Sequence, residues 1–132
     1  MALLEVEDLK VHYPVRGGLF RPKRFVRAVD GVSFRMEPGE TVGLVGESGC
    51  GKSTLGKALV RLEKPAAGRV LLNGLDMSTL RGRELRRARK NFQMIFQDPY
   101  GSLNPRLTVF SALDEVLALH FPLTKAERRE RA

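Results

Sequence analysis

The chain has 132 residues, a net charge of +8 and one cysteine. It is 42% hydrophobic and 29% charged, which is ordinary for a soluble globular protein, and no apolar run is long enough to span a membrane. A single cysteine excludes an internal disulfide. Because Glu5 and Glu7 lie where a signal peptide needs basic residues, we expect the chain to stay in the cytoplasm.

The first forty residues predict two strands and the loop between them. Apolar and polar residues alternate from Leu4 to Tyr13, and a break at Glu7-Asp8 indicates an irregularity in a half-buried strand. Residues 28 to 36 predict the second strand. The intervening residues 14 to 27 are expected to form a loop or hairpin tip that carries basic side chains: Arg16, Arg21, Lys23, Arg24 and Arg27.

A glycine-rich segment, residues 46 to 54, fits the phosphate-loop pattern G-x-x-x-x-G-K-[ST]. The pattern needs a buried strand before it and a helix after it. Residues 41 to 45 form a short apolar run after a turn at 37 to 40, which predicts a strand covered on both faces. Residues 54 to 62 carry apolar side chains at helical spacing, namely Leu55, Ala58, Leu59 and Leu62.

The phosphate loop predicts a site for a nucleoside triphosphate. Its glycines let successive backbone N–H groups turn inward and form an anion nest. Lys52 can reach the β- and γ-phosphates, Ser53 is placed to put its hydroxyl on Mg²⁺, and the following helix points its positive end at the same phosphates. The predicted binding residues are Gly46, Glu47, Ser48, Gly49, Cys50, Gly51, Lys52, Ser53 and Thr54.

Two further elements are predicted between residues 70 and 90. Asn73-Gly74 after the apolar run 70–72 indicates a β-hairpin, so the simplest arrangement is an antiparallel layer beside an α/β core. Residues 80 to 88 favour a short helix within a strongly basic segment, 81–90. The basic side chains suit either a solvated face or nucleic-acid binding. The solvated face is favoured because no aromatic residues interleave with the arginines.

Residues 92 to 96 predict another buried strand, which runs directly into Gln97. Polar residues at the carboxyl end of a strand in an open α/β sheet are well placed for chemistry. The amide oxygen of Gln97 could complete a Mg²⁺ shell or orient a water near the γ-phosphate. The residues alone leave this role open against that of a loop glutamine that caps the strand end.

The phosphate loop together with the segment from Gln93 to Arg106 resembles the ATP-binding subunits of ABC transporters, most closely those of oligopeptide and dipeptide importers. The resemblance covers nearly the whole chain, including residues 28 to 34. It implies an ABC-type nucleotide-binding domain, an α/β P-loop NTPase with an antiparallel β layer beside a parallel-sheet core. It divides the chain into an antiparallel β region at 1–40, a core from the phosphate loop to the Q-loop at 41–97, and the start of a helical subdomain at 98–132.

The resemblance also implies roles for single residues. Tyr13 corresponds to the aromatic residue that stacks on adenine, although a tyrosine at a strand end is also a common core residue. Lys52 corresponds to the phosphate-binding lysine, and Gln97 corresponds to the Q-loop glutamine that senses the γ-phosphate and contacts the membrane-spanning partner. Both are implied catalytic residues. Ser53 and Gln97 are the implied Mg²⁺ ligands.

The family's remaining motifs are not found in this sequence. There is no Leu-Ser-Gly-Gly-Gln signature and no apolar strand that ends in Asp-Glu. Neither His12 nor His120, which ends a predicted helix over 109–120, fits the switch position. A capping-box pattern from Thr124 to Glu127 predicts the start of one more helix. We therefore expect the chain to be the N-terminal part of a longer subunit, truncated within the helical subdomain, and to have no ATPase activity by itself.

Three functions stand as alternatives. In the first, the complete subunit binds and hydrolyses ATP to power import of peptides or related solutes. Its partners are membrane-spanning permease subunits and a second ATP-binding subunit, on the inner face of the cell membrane, and no specific nucleic acid is expected. In the second, an ABC-type ATPase acts on nucleic acid, which the charge favours and the segment 97–106 opposes. In the third, the chain is a fragment that only binds nucleotide or misfolds.

Overall fold

The computed structural model describes residues 2–15, 24–98 and 101–132. The chain divides into two compact units, one up to Met94 and one from Ile95 onward. The elements are β1 (Leu4–Val15), β2 (Arg24–Met36), α1 (Lys52–Leu59), β3 (Ala67–Leu72), β4 (Leu75–Asp76), α2 (Gly82–Ala88), a 3₁₀ turn (Arg89–Asn91), α3 (Val109–His120) and α4 (Lys125–Arg131).

The first unit is built on an antiparallel sheet with the strand order β2-β1-β3-β4. Buried residues of the strands meet buried residues of α1 and α2 in one hydrophobic core. The strands contribute Val6, Leu9, Val11, Val29 and Val70, α1 contributes Leu55 and Ala58, and α2 contributes Ala88. Burial of these apolar side chains fixes α1, and with it the loop that precedes α1, against the sheet.

β1 is irregular where the sequence predicts a break. Its pairing with β2 shifts register between Val6 and Leu9, and Asp8 has a positive φ of 44°. The Asp8 N–H donates a hydrogen bond to Ser33 Oγ at 2.8 Å. Gly68 lies against this bulge, since a Cβ there would be 2.4 Å from the carbonyl oxygen of Asp8. The predicted irregularity is confirmed, and it requires a glycine beside it.

β1 and β2 are both longer than the sequence predicts. β1 continues to Val15 and β2 begins at Arg24, and these two residues pair with each other. The predicted loop over 14–27 is wrong at both ends, because cross-strand pairs such as Pro14 with Phe25 extend the ladder. Of the basic residues expected in that loop, Arg24 and Arg27 belong to β2. The other three lie outside the described residues: Arg16, Arg21 and Lys23.

The hairpin between β3 and β4 turns at Asn73 and Gly74, as predicted. Both residues have positive φ, 49° and 76° respectively. Two consecutive left-handed residues match the twist of the flanking strands, and Asn-Gly is the preferred sequence for such a turn. Leu72 pairs with Leu75 directly beside the turn. The hairpin prediction is confirmed.

The strands predicted over 41–45 and 92–96 are wrong. Neither segment joins the sheet formed by the described residues. A strand is stabilised by hydrogen bonds to a neighbouring strand, and the described part of the chain pairs no strand with either segment. Val45 and Ile95 are accordingly uncovered, at 94% and 95% exposed, whereas Phe92 packs against the hydrophobic core.

Helix α1 begins at Lys52, directly after the phosphate loop, but it ends at Leu59, before the last apolar position of the predicted pattern over 54–62. Arg61 ends the helix, because its φ of 57° is left-handed and its N–H donates to the carbonyl of Ala58 at 3.0 Å. Leu55 is buried, as its helical spacing predicts. Leu62 was expected on the same apolar face, but it lies beyond the turn at Arg61 and is exposed.

The basic segment, residues 81–90, contains α2 and most of the 3₁₀ turn. The predicted short helix is confirmed. Ala88 is buried and Leu85 is half-buried against the core, so the apolar side of α2 faces the rest of the unit. The basic side chains of the segment are exposed. One of them, Arg89, donates a hydrogen bond to the carbonyl of Arg61 at 3.0 Å.

The second unit contains α3 and α4, and both begin with a side-chain cap. Thr108 accepts a hydrogen bond from the Ser111 N–H at 3.1 Å, and α3 spans the predicted residues 109–120. The Thr124 N–H donates to the Glu127 carboxylate at 2.7 Å, and the Glu127 N–H donates to the Thr124 hydroxyl at 3.4 Å. The predicted capping box is therefore confirmed.

An ion pair joins these two helices. Arg128 Nε donates to Asp114 Oδ1 at 2.6 Å, and the same guanidinium donates to the carbonyl of Leu123 at 3.0 Å. No residue of α3 is buried. Within the described ranges, the chain has no helix with both the length and the apolar character needed to cross a bilayer.

Candidate nucleotide-binding site

The loop over 46–51 makes a tight turn before α1. The Cys50 N–H donates to the carbonyl of Glu47 at 3.3 Å. Gly49 and Gly51 have φ values of 81° and 96°, in a region that residues with a Cβ rarely adopt. These two glycines therefore let the chain reverse direction immediately before the helix.

The side chain of Lys52 forms hydrogen bonds to the backbone of this turn. Its Nζ donates to the carbonyl oxygens of Gly46 and Glu47, at 2.6 Å each, and lies 3.4 Å from Cys50 Sγ. An ammonium group has three donors, so two of them are engaged by the loop backbone. The cation is thus fixed against the loop rather than extended into solvent.

The N-terminus of α1 adds positive charge at the same place. The N-cap residue is Gly51, which offers no side chain to the free N–H groups, and the first turn carries no acidic residue. The aligned peptide dipoles place a partial positive charge at such an end. Ser53 is exposed and Thr54 is half-buried in this turn. Together with Lys52, these groups form a site that can bind an anion.

β2 packs closely against Gly51. A Cβ at Gly51 would lie 2.2 Å from the carbonyl oxygen of Ala28, so only glycine fits. Ala28 is the extra residue of a β-bulge, since Val29 and Arg27 on either side of it pair with consecutive residues of β1. The bulge therefore brings a strand carbonyl against the last residue before α1.

Asp30 gathers two basic side chains around this bulge. Its carboxylate oxygens lie 3.4 Å from His12 Nε2 and 3.3 Å from Arg27 Nη1. Desolvation raises the pKa of Asp30, but the hydrogen bond to His12 and the charge and hydrogen bond of Arg27 together outweigh it, so the pKa lies below 3.8. No sequence signal marks this cluster, because only the bulged register brings the three residues together.

Tyr13 lies in β1 opposite Val26. Its side chain is half-buried and packs against the hydrophobic core. The residue is inside the strand rather than at its end, because β1 continues to Val15. Stacking of Tyr13 on adenine stays a prediction.

Gln97 is exposed and belongs to the second unit, so it is described apart from the phosphate loop. Its roles as a Mg²⁺ ligand and γ-phosphate sensor stay predictions. Short-range hydrogen bonds stabilise the turns within residues 101–107. Ser102 Oγ donates to the carbonyl of Asp98 at 2.7 Å, and the Arg106 N–H donates to Asn104 Oδ1 at 3.0 Å.

Comparison with protein families gives a match that covers most of the chain. The family model described as ABC transporter matches residues 29–132, a range that includes the whole phosphate loop and Gln97. The chain belongs to the ABC transporter family. The resemblance inferred from the sequence motifs is thereby confirmed.

The ABC relatives with curated names include transport ATP-binding proteins of several bacteria. The oligopeptide transport ATP-binding protein AppF of Bacillus subtilis is 51% identical over 131 residues, which cover 98% of this chain and 40% of AppF. The dipeptide transport ATP-binding protein DppF of Escherichia coli is 48% identical over 130 residues, which cover 98% of this chain and 39% of DppF. The chain thus spans about 40% of the length of the curated relatives it matches.

Solved ABC structures share the fold. The ATP-binding cassette MJ0796, in a dimeric post-hydrolysis state bound to ADP and Pi, aligns with a TM-score of 0.75 and 25% identity over 97% of this chain and 53% of that one. The protein cbiO1 from Clostridium perfringens, part of the ABC transporter complex cbiONQ, aligns with a TM-score of 0.68 and 25% identity over 98% of this chain and 47% of that one. The predicted fold class, an ABC-type nucleotide-binding domain, is confirmed.

Proposed function

We propose that this chain binds ATP at the phosphate loop, and that the longer subunit hydrolyses ATP to power import of peptides or related solutes. The observation that carries the proposal is the loop itself, in which Lys52 Nζ lies 2.6 Å from the carbonyls of Gly46 and Glu47 beside the N-terminus of α1. The names of AppF and DppF, which specify oligopeptide and dipeptide transport, favour a peptide solute over the nucleic-acid alternative.

The loop's own groups supply the binding energy for phosphate. A phosphate at the start of α1 would accept hydrogen bonds from first-turn N–H groups and from the ammonium of Lys52. Such charge-assisted bonds are about twice as strong as neutral ones. Because Lys52 already closes the loop, little further ordering is needed on binding. The same ammonium would stabilise charge on the γ-phosphoryl group during its transfer to water.

The remaining proposed site residues surround these groups. Tyr13 would stack on adenine, as its place in the family pattern implies, and Gln97 would orient the attacking water or sense the γ-phosphate. The proposed nucleotide-binding set is Tyr13, Gly46, Glu47, Ser48, Gly49, Cys50, Gly51, Lys52, Ser53 and Thr54.

Magnesium fits the donors that the chain offers. This ion prefers hard oxygen ligands and is usually held by one or two protein groups together with substrate phosphates. Ser53, in the first turn of α1, and Gln97 are both exposed residues, and each has a side-chain oxygen. These two residues would hold the ion. When bound, Mg²⁺ neutralises charge on the phosphates.

The domain organisation and the partners belong to the same proposal. We assign 1–40 to the antiparallel β region, 41–97 to the core from phosphate loop to Q-loop, and 98–132 to the start of the helical subdomain. Permease subunits and a second ATP-binding subunit are the proposed partners, and the dimeric MJ0796 structure supports the second of these. The subunit would be held on the cytoplasmic face of the membrane through the permease.

Titration of the folded chain with a fluorescent ATP analogue and Mg²⁺ tests the proposal. Lys52→Ala removes the ammonium that meets the phosphates, and we expect it to weaken binding about ten- to hundredfold. Lys57→Ala is the matched control, because it removes the same charge from the last turn of α1. We expect that variant to bind within about twofold of wild type. Equal binding by Lys52→Ala, or no saturable binding by the folded wild type, would contradict the proposal.

A further inference from the structure

We propose that the cluster of His12, Arg27 and Asp30, the bulge clamp, positions the phosphate loop. It does so by holding the β2 bulge at Ala28, whose carbonyl fixes Gly51. The inference rests on the proposed nucleotide site and adds positioning residues that lie outside the phosphate loop.

The bulge clamp spans the irregular part of β2. Arg27 and Asp30 lie on either side of Ala28 in the sequence, and His12 is the β1 residue that pairs with Arg27. Asp30 is followed at once by a second register shift at Gly31, which has a φ of 79°. A bulge interrupts the backbone ladder locally. Between two such interruptions, the contact of Asp30 with His12 joins β2 to β1, and its contact with Arg27 spans the bulge within β2.

The carbonyl of Ala28 connects the bulge to the start of α1 through its packing against Gly51. A Cβ at Gly51 would lie 2.2 Å from this oxygen and 3.8 Å from Val29 Cγ2. The Gly51 carbonyl in turn accepts the Leu55 N–H at 2.8 Å, which is the first backbone hydrogen bond of α1. A movement of the bulge would therefore displace both the residue before Lys52 and the start of the helix.

The exposure of the bulge clamp indicates a local rather than a global role. The side chains of His12, Asp30 and Arg27 are 25%, 45% and 69% exposed. Ion pairs with this degree of exposure contribute little to the free energy of unfolding. The Asp30 carboxylate accepts a hydrogen bond from His12 when the imidazole is protonated, or neutral with its proton on Nε2. The cluster thus fixes geometry more than it stabilises the fold.

Amide exchange in the nucleotide-free chain tests the clamp directly. Asp30→Asn keeps the shape of the side chain and removes its charge. The matched control, Glu5→Gln, breaks a 2.9 Å ion pair to Arg35, the β2 residue that pairs with Glu5 near the other end of β1. We expect Asp30→Asn to accelerate exchange of the Leu55 amide about fivefold, and Glu5→Gln to leave it unchanged. Equal exchange rates in the two variants would overturn the proposal.

Binding of ATP and of tripolyphosphate separates positioning from direct contact. Both ligands would bind through their phosphates to the phosphate loop. Asp30→Asn should therefore lower the affinity for ATP and for tripolyphosphate by the same factor, about fivefold. Weakened binding of ATP alone would mean that the cluster touches the base or ribose, and would overturn the clamp. If wild type binds neither ligand, the proposed function fails, and the exchange comparison still decides the clamp.

Discussion

Two physical constraints favour glycine in the phosphate loop: a positive φ angle and the close packing of a neighbouring backbone atom. Gly49 and Gly51 differ in which of these apply. Both have positive φ, at 81° and 96°. Among the described residues, none lies within 4 Å of the position that a Cβ at Gly49 would take, whereas a Cβ at Gly51 would be 2.2 Å from the carbonyl oxygen of Ala28. The phosphate-loop pattern requires glycine at position 51 and accepts any residue at position 49.

Alanine substitution at each of these glycines separates the two effects. Gly49→Ala places a Cβ in a left-handed conformation without a clash, and we expect it to lower the free energy of unfolding by about 1–2 kcal/mol. Gly51→Ala adds the clash with Ala28, so its effect on stability and on nucleotide affinity should be larger. Urea unfolding of both variants measures the difference. Equal losses of stability would contradict the contact between Gly51 and the bulge.

The elements that the sequence predicts correctly are those whose signals are local. The hairpin turn at Asn73-Gly74 and the capping box at Thr124 depend on residues within a few positions of one another, and both are present. The strands predicted over 41–45 and 92–96 depend on partners distant in the chain, and apolar patterning alone does not supply those partners. The predicted ends of β1 and β2 are wrong for a related reason, because pairing between these two strands extends both of them beyond the predicted residues.

Helix α4 provides a pH-dependent test of its cap. The Thr124 hydroxyl and N–H donate hydrogen bonds to the Glu127 carboxylate, and these bonds lower the pKa of Glu127 below 4.5. A lowered pKa in the folded state means that the cap stabilises α4 fully above pH 4.5 and loses this contribution as the pH falls through the folded-state pKa.

We therefore expect protection of the Thr124 amide, measured as the ratio of the intrinsic to the observed exchange rate, to decrease as the pH falls from about 6 to about 3. Nuclear magnetic resonance measurements on Glu127→Gln provide the control, since glutamine does not titrate. A pH profile identical in the variant and the wild type would show that the Glu127 carboxylate does not hold the cap.

For the molecule as a whole, family membership could be predicted from two motifs, and the assembly of the site could not. The phosphate loop and the segment after Gln93 each carry their pattern in consecutive residues, which is why a single sequence sufficed. The bulge clamp around Ala28 combines residues of two strands through a register shift, and no periodic pattern encodes that shift. The role of Gln97 stays a prediction.

The basic segment 81–90 also has exposed basic side chains, and an anion bound by charge alone would bind there instead of at the phosphate loop. Mapping of backbone amide resonances during titration with Mg²⁺ and ATP distinguishes the two surfaces most directly. We predict saturable chemical-shift changes concentrated in residues 46–54, absent in Lys52→Ala and retained at raised salt. Shifts confined to 81–90 and abolished by salt, or none in the phosphate loop of the folded chain, would contradict this prediction.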